Sequence, residues 1–414
     1  MRSLLCGFLL SSVIVPSILT EEANVENLNG YDEEDKKEAR ELATSIMHFT
    51  LKLYKNIIST TQKKEELRPR NIVFSPLSIT SALAMLALGA KSETQLEILN
   101  GFSKEANIKE KIHDHFGQLI SVLTRERKEV PITIHNAAFV ANHLKILKSF
   151  EHKVKQHYQA DVFNCDFKNP KDALKQINDY VKNKTNNKID DLVKDLSMKT
   201  KIVLLNYIFF KGEWVTPFSP DFTRLSLFSI DNTTAVKVQM MSRSGHYDIF
   251  LDNELPCTVL QLPYKEDAFM LLIMPDLGKI EEVEAALSTE TIARWRNSTS
   301  KRFLRLYMPK FSISYYLNLK DTLSEMGMSN IFSDQADLSG ITEDGKLKVS
   351  KVIHKTMLDV DERGTEATAF TAVDIIRHSV LQSHKVDRPF LVIICNRETG
   401  TILFMGRVVN PAVK

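Results

Sequence analysis

Residues 352–389 constrain this chain more than any other part of it. Residues 351–360 have the composition of a strand, and Asp361-Glu362-Arg363-Gly364 then breaks it. Every second residue after the break, Thr365, Ala367, Ala369, Thr371, Val373 and Ile375, is small or β-branched, so an extended segment here has one face suited to burial. The other face carries Glu366, Thr368 and Asp374 among apolar groups. Arg377-His378-Ser379 and a largely polar run to Lys385 follow, with no hairpin signal to return the segment to its predecessor. Taken alone, such a segment reads as an edge strand leading into a surface loop. Its neighbours change that.

No stretch rich in Pro, Gly or Ser divides the 414 residues and no internal repeat is present, so one large domain is expected although the length admits two. Apolar residues recur at helical spacing over 41–58, 78–88, part of 98–123 and 172–181, which makes the first half helix-rich. Runs of strand character come later, at 201–211 (KIVLLNYIFFK), 258–262, 268–274, 303–313, 390–395 and 401–408. Helices mixed with non-alternating strands predict an α+β arrangement around large sheets. Formal net charge is +2, from 54 basic and 52 acidic side chains, which argues against nucleic acid or a strongly charged substrate.

The chain opens Met1-Arg2 and then runs apolar over 4–19, broken by Ser11, Ser12, Pro16 and Ser17. That is too short for a bilayer, and the basic residue in front makes a secretory signal peptide the expectation rather than a short buried helix. A cut near residue 20 gives a signal peptide over 1–20, an acidic, poorly ordered N-terminus over 21–40 and a single domain over 41–414. The protein is then secreted, with no membrane anchor. Cys6 leaves with the signal, and Cys165, Cys257 and Cys395 are too few and too scattered for a disulfide framework. Secretion gives meaning to three glycosylation triplets, at Asn183, Asn232 and Asn297. There is no Gly-x-Ser-x-Gly, His-Glu-x-x-His or phosphate loop, so neither an enzyme nor a metal or other cofactor is expected.

Several separated motifs, in order, resemble one family. Asn71-Ile-Val-Phe-Ser-Pro-Leu-Ser-Ile is similar to the opening of helix B in the serpins, Asn136-Ala-Ala-Phe to a motif of their central sheet, and Asn206-Tyr-Ile-Phe-Phe-Lys-Gly-Glu-Trp214 to their most recognisable strand. Val386-Asp-Arg-Pro-Phe, Phe404-Met-Gly-Arg and Asn410-Pro complete the pattern, which covers nearly all of the chain after Glu41. The run Gly-Thr-Glu-Ala-x-Ala-x-Thr-Ala-Val from Gly364 resembles the antitrypsin and antichymotrypsin branch in particular.

The resemblance implies a serpin fold, with helices packed around three β-sheets and an exposed reactive-centre loop over about 362–385. It also implies a monomeric inhibitor of serine proteases. In that mechanism the protease cleaves the loop, an acyl-enzyme forms, and the loop inserts into the central sheet as a new strand, dragging the protease to the far pole. The hinge carried over is Glu362, Gly364, Thr365, Glu366, Ala367, Thr368 and Ala369. Gly364 supplies permissive φ and ψ, and Thr365, Ala367 and Ala369 are small enough to slip between strands. Ser75, Ser78, Asn206 and His354 match the shutter beneath the point where the sheet opens, Trp214 matches the breach at its top, and Glu362 is expected to pair with Lys310. Loop length counted from Gly364 and from Pro389 puts the scissile bond at His378-Ser379, with Arg377-His378 as the alternative. Trypsin-like and chymotrypsin-like targets both stay open.

Three positions depart from the family pattern. Phe370 is bulkier than the usual hinge residue and is expected to slow insertion; Asn187 stands where relatives often have Gly, and Gln239 where they often have Pro. A hinge intact apart from Phe370 favours inhibition over the alternative the resemblance allows, a non-inhibitory serpin carrying a small hydrophobic ligand such as a hormone. Arg294, Arg296, Lys301, Arg302 and Arg305 gather five positive charges where some relatives bind heparin, with no acidic residue from 294 to 305. They form a candidate glycosaminoglycan site, against the plainer reading of a solvated face.

Overall fold

The computed structural model describes the chain from Glu33 to Val413, apart from 65–69, 103–105, 125–131, 186, 188, 190, 211, 266, 344–346 and 364–380. Helices dominate the first half: α1 (Glu33–Lys64), α2 (Pro76–Gly89), α3 (Ser92–Phe102), α4 (Ala106–Thr124), α5 (Lys148–Tyr158) and α6 (Pro170–Lys184). Shorter ones follow, α7 (Ile280–Ala285), α8 (Thr289–Asn297) and α9 (Lys320–Glu325). Helix α1 begins inside the acidic segment expected to be poorly ordered. Helix α2 is apolar nearly all round and almost wholly buried, as a helix inside a large core must be. No described helix is long and apolar enough to cross a membrane.

The strands form two hydrogen-bonded sheets. One has five strands in the order β10 (Phe311–Asn318), β11 (Val349–Val360), β4 (Ile202–Phe210), β2 (Ile132–Ala141) and β3 (Asp161–Cys165). Strand β4 is buried at every position, which explains its unbroken apolar run. It is antiparallel to β2 but parallel to β11, in continuous register from Val203–Lys351 to Phe210–Leu358 after a shift at Ser350.

The other sheet runs β1 (Ile72–Phe74), β14 (Ile402–Val408), β13 (Phe390–Asn396), β8 (Ala268–Pro275), β7 (Cys257–Pro263), β6 (Ala235–Asp252), β9 (Ser300–Pro309) and β12 (Ser383–Lys385), with β5 (Arg224–Ser229) paired to β6. Strand β6 pairs with β5 at its start, β9 along its middle and β7 at its end, so it joins two of the three expected sheets into one ladder. The expected strand over 303–313 is two strands. Pro309 ends β9, having no N–H to give a ladder, and β10 then enters the other sheet. Strand β1 can lie against β14 only because residue 406 is Gly: a Cβ there would stand 1.9 Å from the Ile72 carbonyl oxygen. Cys165, Cys257 and Cys395 are buried free thiols.

Candidate functional site

The site is the seam between β4 and β11, with the loop-bearing end of β11 above it. Beneath the seam lies the N-terminus of α2. Ser75 caps this helix, its Oγ accepting from the Ser78 N–H at 3.2 Å, and Pro76 follows where a missing N–H costs nothing. The Ser75 N–H donates to His354 Nε2 at 3.1 Å. A backbone N–H can only donate, so Nε2 is an acceptor and the His354 proton sits on Nδ1, from which it reaches Asn206 Oδ1 at 2.6 Å. Thr356 Oγ1 donates to the same Nε2 at 2.5 Å, and Ser78 Oγ donates to Asn206 Oδ1.

Strand register builds the rest of the network. Asn206 faces His354 on β11 and Asn136 on β2, so three adjacent strands carry polar side chains in one row. Asn206 Nδ2 donates to Asn136 Oδ1 at 2.5 Å, and Asn136 Nδ2 to Ser81 Oγ at 2.8 Å. Ser75, Ser78, Ser81, Asn136, Asn206, His354 and Thr356 are all buried. Burial pushes the His354 ring down to about 3, so it is neutral. All four expected shutter residues meet here. Asn136, Ser81 and Thr356 join them, and only Asn136 stood in a motif that the sequence singles out.

At the upper end, Trp214 stacks on Tyr264, with ring centroids 4.3 Å apart, and its Nε1–H donates to the Asp361 carbonyl at 2.9 Å. Glu362 follows immediately. Lys310 Nζ lies 2.7 Å from Glu362 Oε2, Thr223 Oγ1 donates to Oε1 at 2.9 Å, and the Phe218 N–H donates to the Glu362 carbonyl at 2.8 Å. Burial alone would raise the Glu362 carboxyl, but the hydrogen bonds from Lys310 and Thr223 outweigh it and hold the group below its ordinary value. Thr223 and Phe218 carry no signal of this contact in sequence.

The hinge residues Gly364, Thr365, Glu366, Ala367, Thr368 and Ala369, with Phe370, Arg377, His378 and Ser379, lie outside the described residues. Of the departures, Asn187 adopts φ 62°, a left-handed conformation that Asn tolerates better than most residues after Gly. The Gln239 carbonyl accepts from the Lys310 N–H at 2.8 Å. The side chains of Asn183, Asn232 and Asn297 are exposed.

The five cations expected to form one patch are used differently. Arg294 is held by two carboxylates, Asp252 at 2.8 Å and Glu254 at 2.5 Å, because α8 packs its inner face on the end of β6. The Arg296 guanidinium lies over the Phe269 ring, 5.6 Å from its centroid, and Arg305 Nε donates to Ser244 Oγ at 2.8 Å. Lys301 and Arg302 are exposed on β9.

Comparison with known proteins agrees with this architecture. The sequence profile of the family described as "Serpin (serine protease inhibitor)" matches residues 44–411. "Serine protease inhibitor A6" of Xenopus laevis is 45% identical over 378 residues, spanning 91% of this chain and 85% of that one. "Serpin A3-3" of Bos taurus is 40% identical over 403 residues, spanning 97% and 96%. Among solved structures, human thyroxine-binding globulin superposes with a TM-score of 0.84 at 39% identity, covering 90% of this chain and 99% of its own. Mouse protein-Z dependent protease inhibitor does so at 0.84 and 30%, covering 92% and 100%. A family profile over most of the chain, on a structure of the same fold, makes this chain a member of the serpin family.

Proposed function

We propose that the chain is a secreted inhibitor of serine proteases that acts as a suicide substrate: cleavage falls at His378-Ser379, or at Arg377-His378, and the segment after Gly364 enters the five-stranded sheet. The observation that carries this reading is the parallel β4–β11 seam. The chain leaves the upper end of β11, so a segment turning back into the seam would run antiparallel to both neighbours. One parallel ladder would give way to two antiparallel ones, which are the more stable kind per residue. Each new hydrogen bond contributes about 0.5–1.5 kcal/mol net. The small face of Thr365, Ala367 and Ala369 suits such an entry. This chain then performs no catalysis, needs no cofactor, works as a monomer, and carries glycans at Asn183, Asn232 and Asn297.

Mixing the purified protein with trypsin and with chymotrypsin tests the reading on a denaturing gel. The expected product is a covalent complex larger than either partner, and the N-terminus of the released C-terminal fragment identifies the bond. Nicking without a complex would remove the inhibitor reading.

Likeness to thyroxine-binding globulin favours a second reading, carriage of a small hydrophobic ligand. A cavity of about 130 Å³ below Trp214, lined in part by Phe218, Arg243 and Tyr247, falls short of the roughly 300 Å³ from which such sites start. Saturable quenching of tryptophan fluorescence by thyroxine, with no covalent complex, would support carriage.

A further inference from the structure

We infer that the outer face of β5 is a second contact for the target protease, beside the bait segment; the inference rests on the inhibitor reading above. Phe222, Leu225 and Leu227 are exposed to 63%, 66% and 59%. Strand alternation explains the leucines: Phe228 points into the core and is fully buried, which turns Leu225 and Leu227 to the opposite side. A solvated strand face ordinarily carries polar groups, as their cross-strand neighbours Gln239 and Lys237 do. Among the described residues strand β5 pairs only with β6, so it is an edge there, and exposed leucines on an edge are a hazard that natural sheets usually avoid. Their presence calls for an occupant.

Position identifies it. At the start of β5, Thr223 Oγ1 and the Phe218 N–H hold Glu362, where the bait segment leaves the body of the molecule. At its end, the Ser229 N–H donates to the Asp387 carbonyl at 2.7 Å, just past the point where the segment returns as β12. The strand therefore runs between the two anchor points of the bait, over about 20 Å of backbone. A protease bound to the bait stands over it. Protease–inhibitor contacts bury about 800 Å² per partner, more than one threaded segment offers, and apolar side chains fixed on a sheet add area at little entropic cost. The partner surface that fits is an apolar rim beside the protease cleft, with an acidic group in reach of the exposed Lys237.

The test uses full-length wild type and the double variant Leu225→Thr/Leu227→Thr, since Thr keeps strand propensity. Each is titrated with trypsin and chymotrypsin whose catalytic serine is replaced by alanine. Expected is a Kd raised on the order of tenfold for at least one protease, at an unchanged thermal midpoint. Equal Kd values for both overturn the inference and leave the inhibitor reading standing, provided wild type forms covalent complexes with the active proteases. Failure of wild type to form them overturns both. A wild-type dimer in sedimentation that the variant does not form assigns the face to a second copy and also overturns it. Phe222→Ser, read the same way, replaces the double variant should that not fold.

Discussion

Asn206 of β4 and His354 of β11 are register partners across the parallel seam, joined by a 2.6 Å hydrogen bond from Nδ1 to Oδ1. A strand entering the seam must separate them, yet each has other partners on its own side. Asn206 also bonds Ser78 and Asn136, and His354 also bonds Ser75 and Thr356. Opening breaks this bond and, because Ser75 and Ser78 belong to the same helix end, one of the two bonds to α2 as well; Asn136 and Thr356 still leave each group a partner on its own side, so neither is stranded, which would be costly.

Removing the ring has the opposite character. His354→Ala leaves the Ser75 N–H and the Thr356 hydroxyl without their acceptor, and each buried unsatisfied group costs about 1–3 kcal/mol. The variant is expected to lose roughly 3 kcal/mol or more by urea denaturation and to form polymers on mild warming. A midpoint equal to wild type would show that the network is not what holds the seam closed.

The same histidine makes stability depend on pH. Its folded value of about 3 lies below the ordinary 6.5 because burial disfavours the charged ring, and protonation would set an Nε2–H against the Ser75 N–H. His113 and His135, each held near 4 mainly by burial, act in the same direction. The unfolded chain takes up protons below pH 6.5 that the folded one refuses. Stability is thus full above that pH, falls as pH drops, and levels off once the folded values are reached. His354 alone accounts for about 2 kcal/mol by pH 5. Thermal midpoints that stay flat between pH 7.5 and 5 would contradict this.

Glu362→Lys is expected to raise polymer formation on warming, because it sets two cations together and removes the acceptor of the Thr223 hydroxyl. The pair itself, at a half-exposed lysine, is worth under about 1 kcal/mol, so the effect should show in assembly more than in the denaturant midpoint. If the variant stays monomeric beside wild type on a native gel, the pair has no such role.

The seam is legible in sequence where its residues sit in dense motifs, Ser75 and Ser78 beside Pro76 and Asn206 within the apolar strand β4; His354 lies instead in a strand that also carries Lys351, Lys355 and Asp359, and only the family resemblance marks it. Polar groups in apolar runs are unusual enough to mark themselves. Thr223 and Phe218 lie in a stretch with no periodicity, and their contacts with Glu362 come from chain crossing at the top of the sheet. The fate of Arg294 is hidden for a related reason. Its two carboxylates are 42 and 40 positions away, at the end of a strand whose mixed pattern does not announce itself.

That ion pair changes what the cation cluster can do. Asp252 is almost fully buried and accepts from Arg294 and from Trp295 Nε1, the latter at 2.7 Å. Arg294→Gln is therefore expected to lower the thermal midpoint by roughly 2 °C or more and to leave retention on a heparin column unchanged, since the charge is already matched. Lys301→Gln/Arg302→Gln is expected to do the reverse, lowering retention at an unchanged midpoint, and equal retention would remove this face as a site for a sulfated polymer. Reduced retention on losing Arg294 at constant stability would restore the larger patch.

Cleavage of the bait segment is expected to raise the thermal midpoint. Before cleavage the segment is tethered through Glu362 at one end and Asp387 at the other, so it cannot lie along the seam for its full length. After cleavage the N-terminal arm is free to enter. Ordering it costs about 1–2 kcal/mol per residue, which the ladder bonds roughly offset, leaving the balance to the buried face. Val373 and Ile375 contribute about 1.5–3 kcal/mol each there, and two antiparallel ladders replace a parallel one. A net gain of several kcal/mol corresponds to a rise of roughly 5 °C in a protein of this size, whose unfolding entropy is about 2.1 cal/mol/K per residue. Calorimetry of intact and nicked protein measures it, and Thr365→Arg, which puts a charge on the inserting face, should abolish the rise. An unchanged midpoint in nicked wild type would mean that the arm stays outside, and would favour carriage over inhibition.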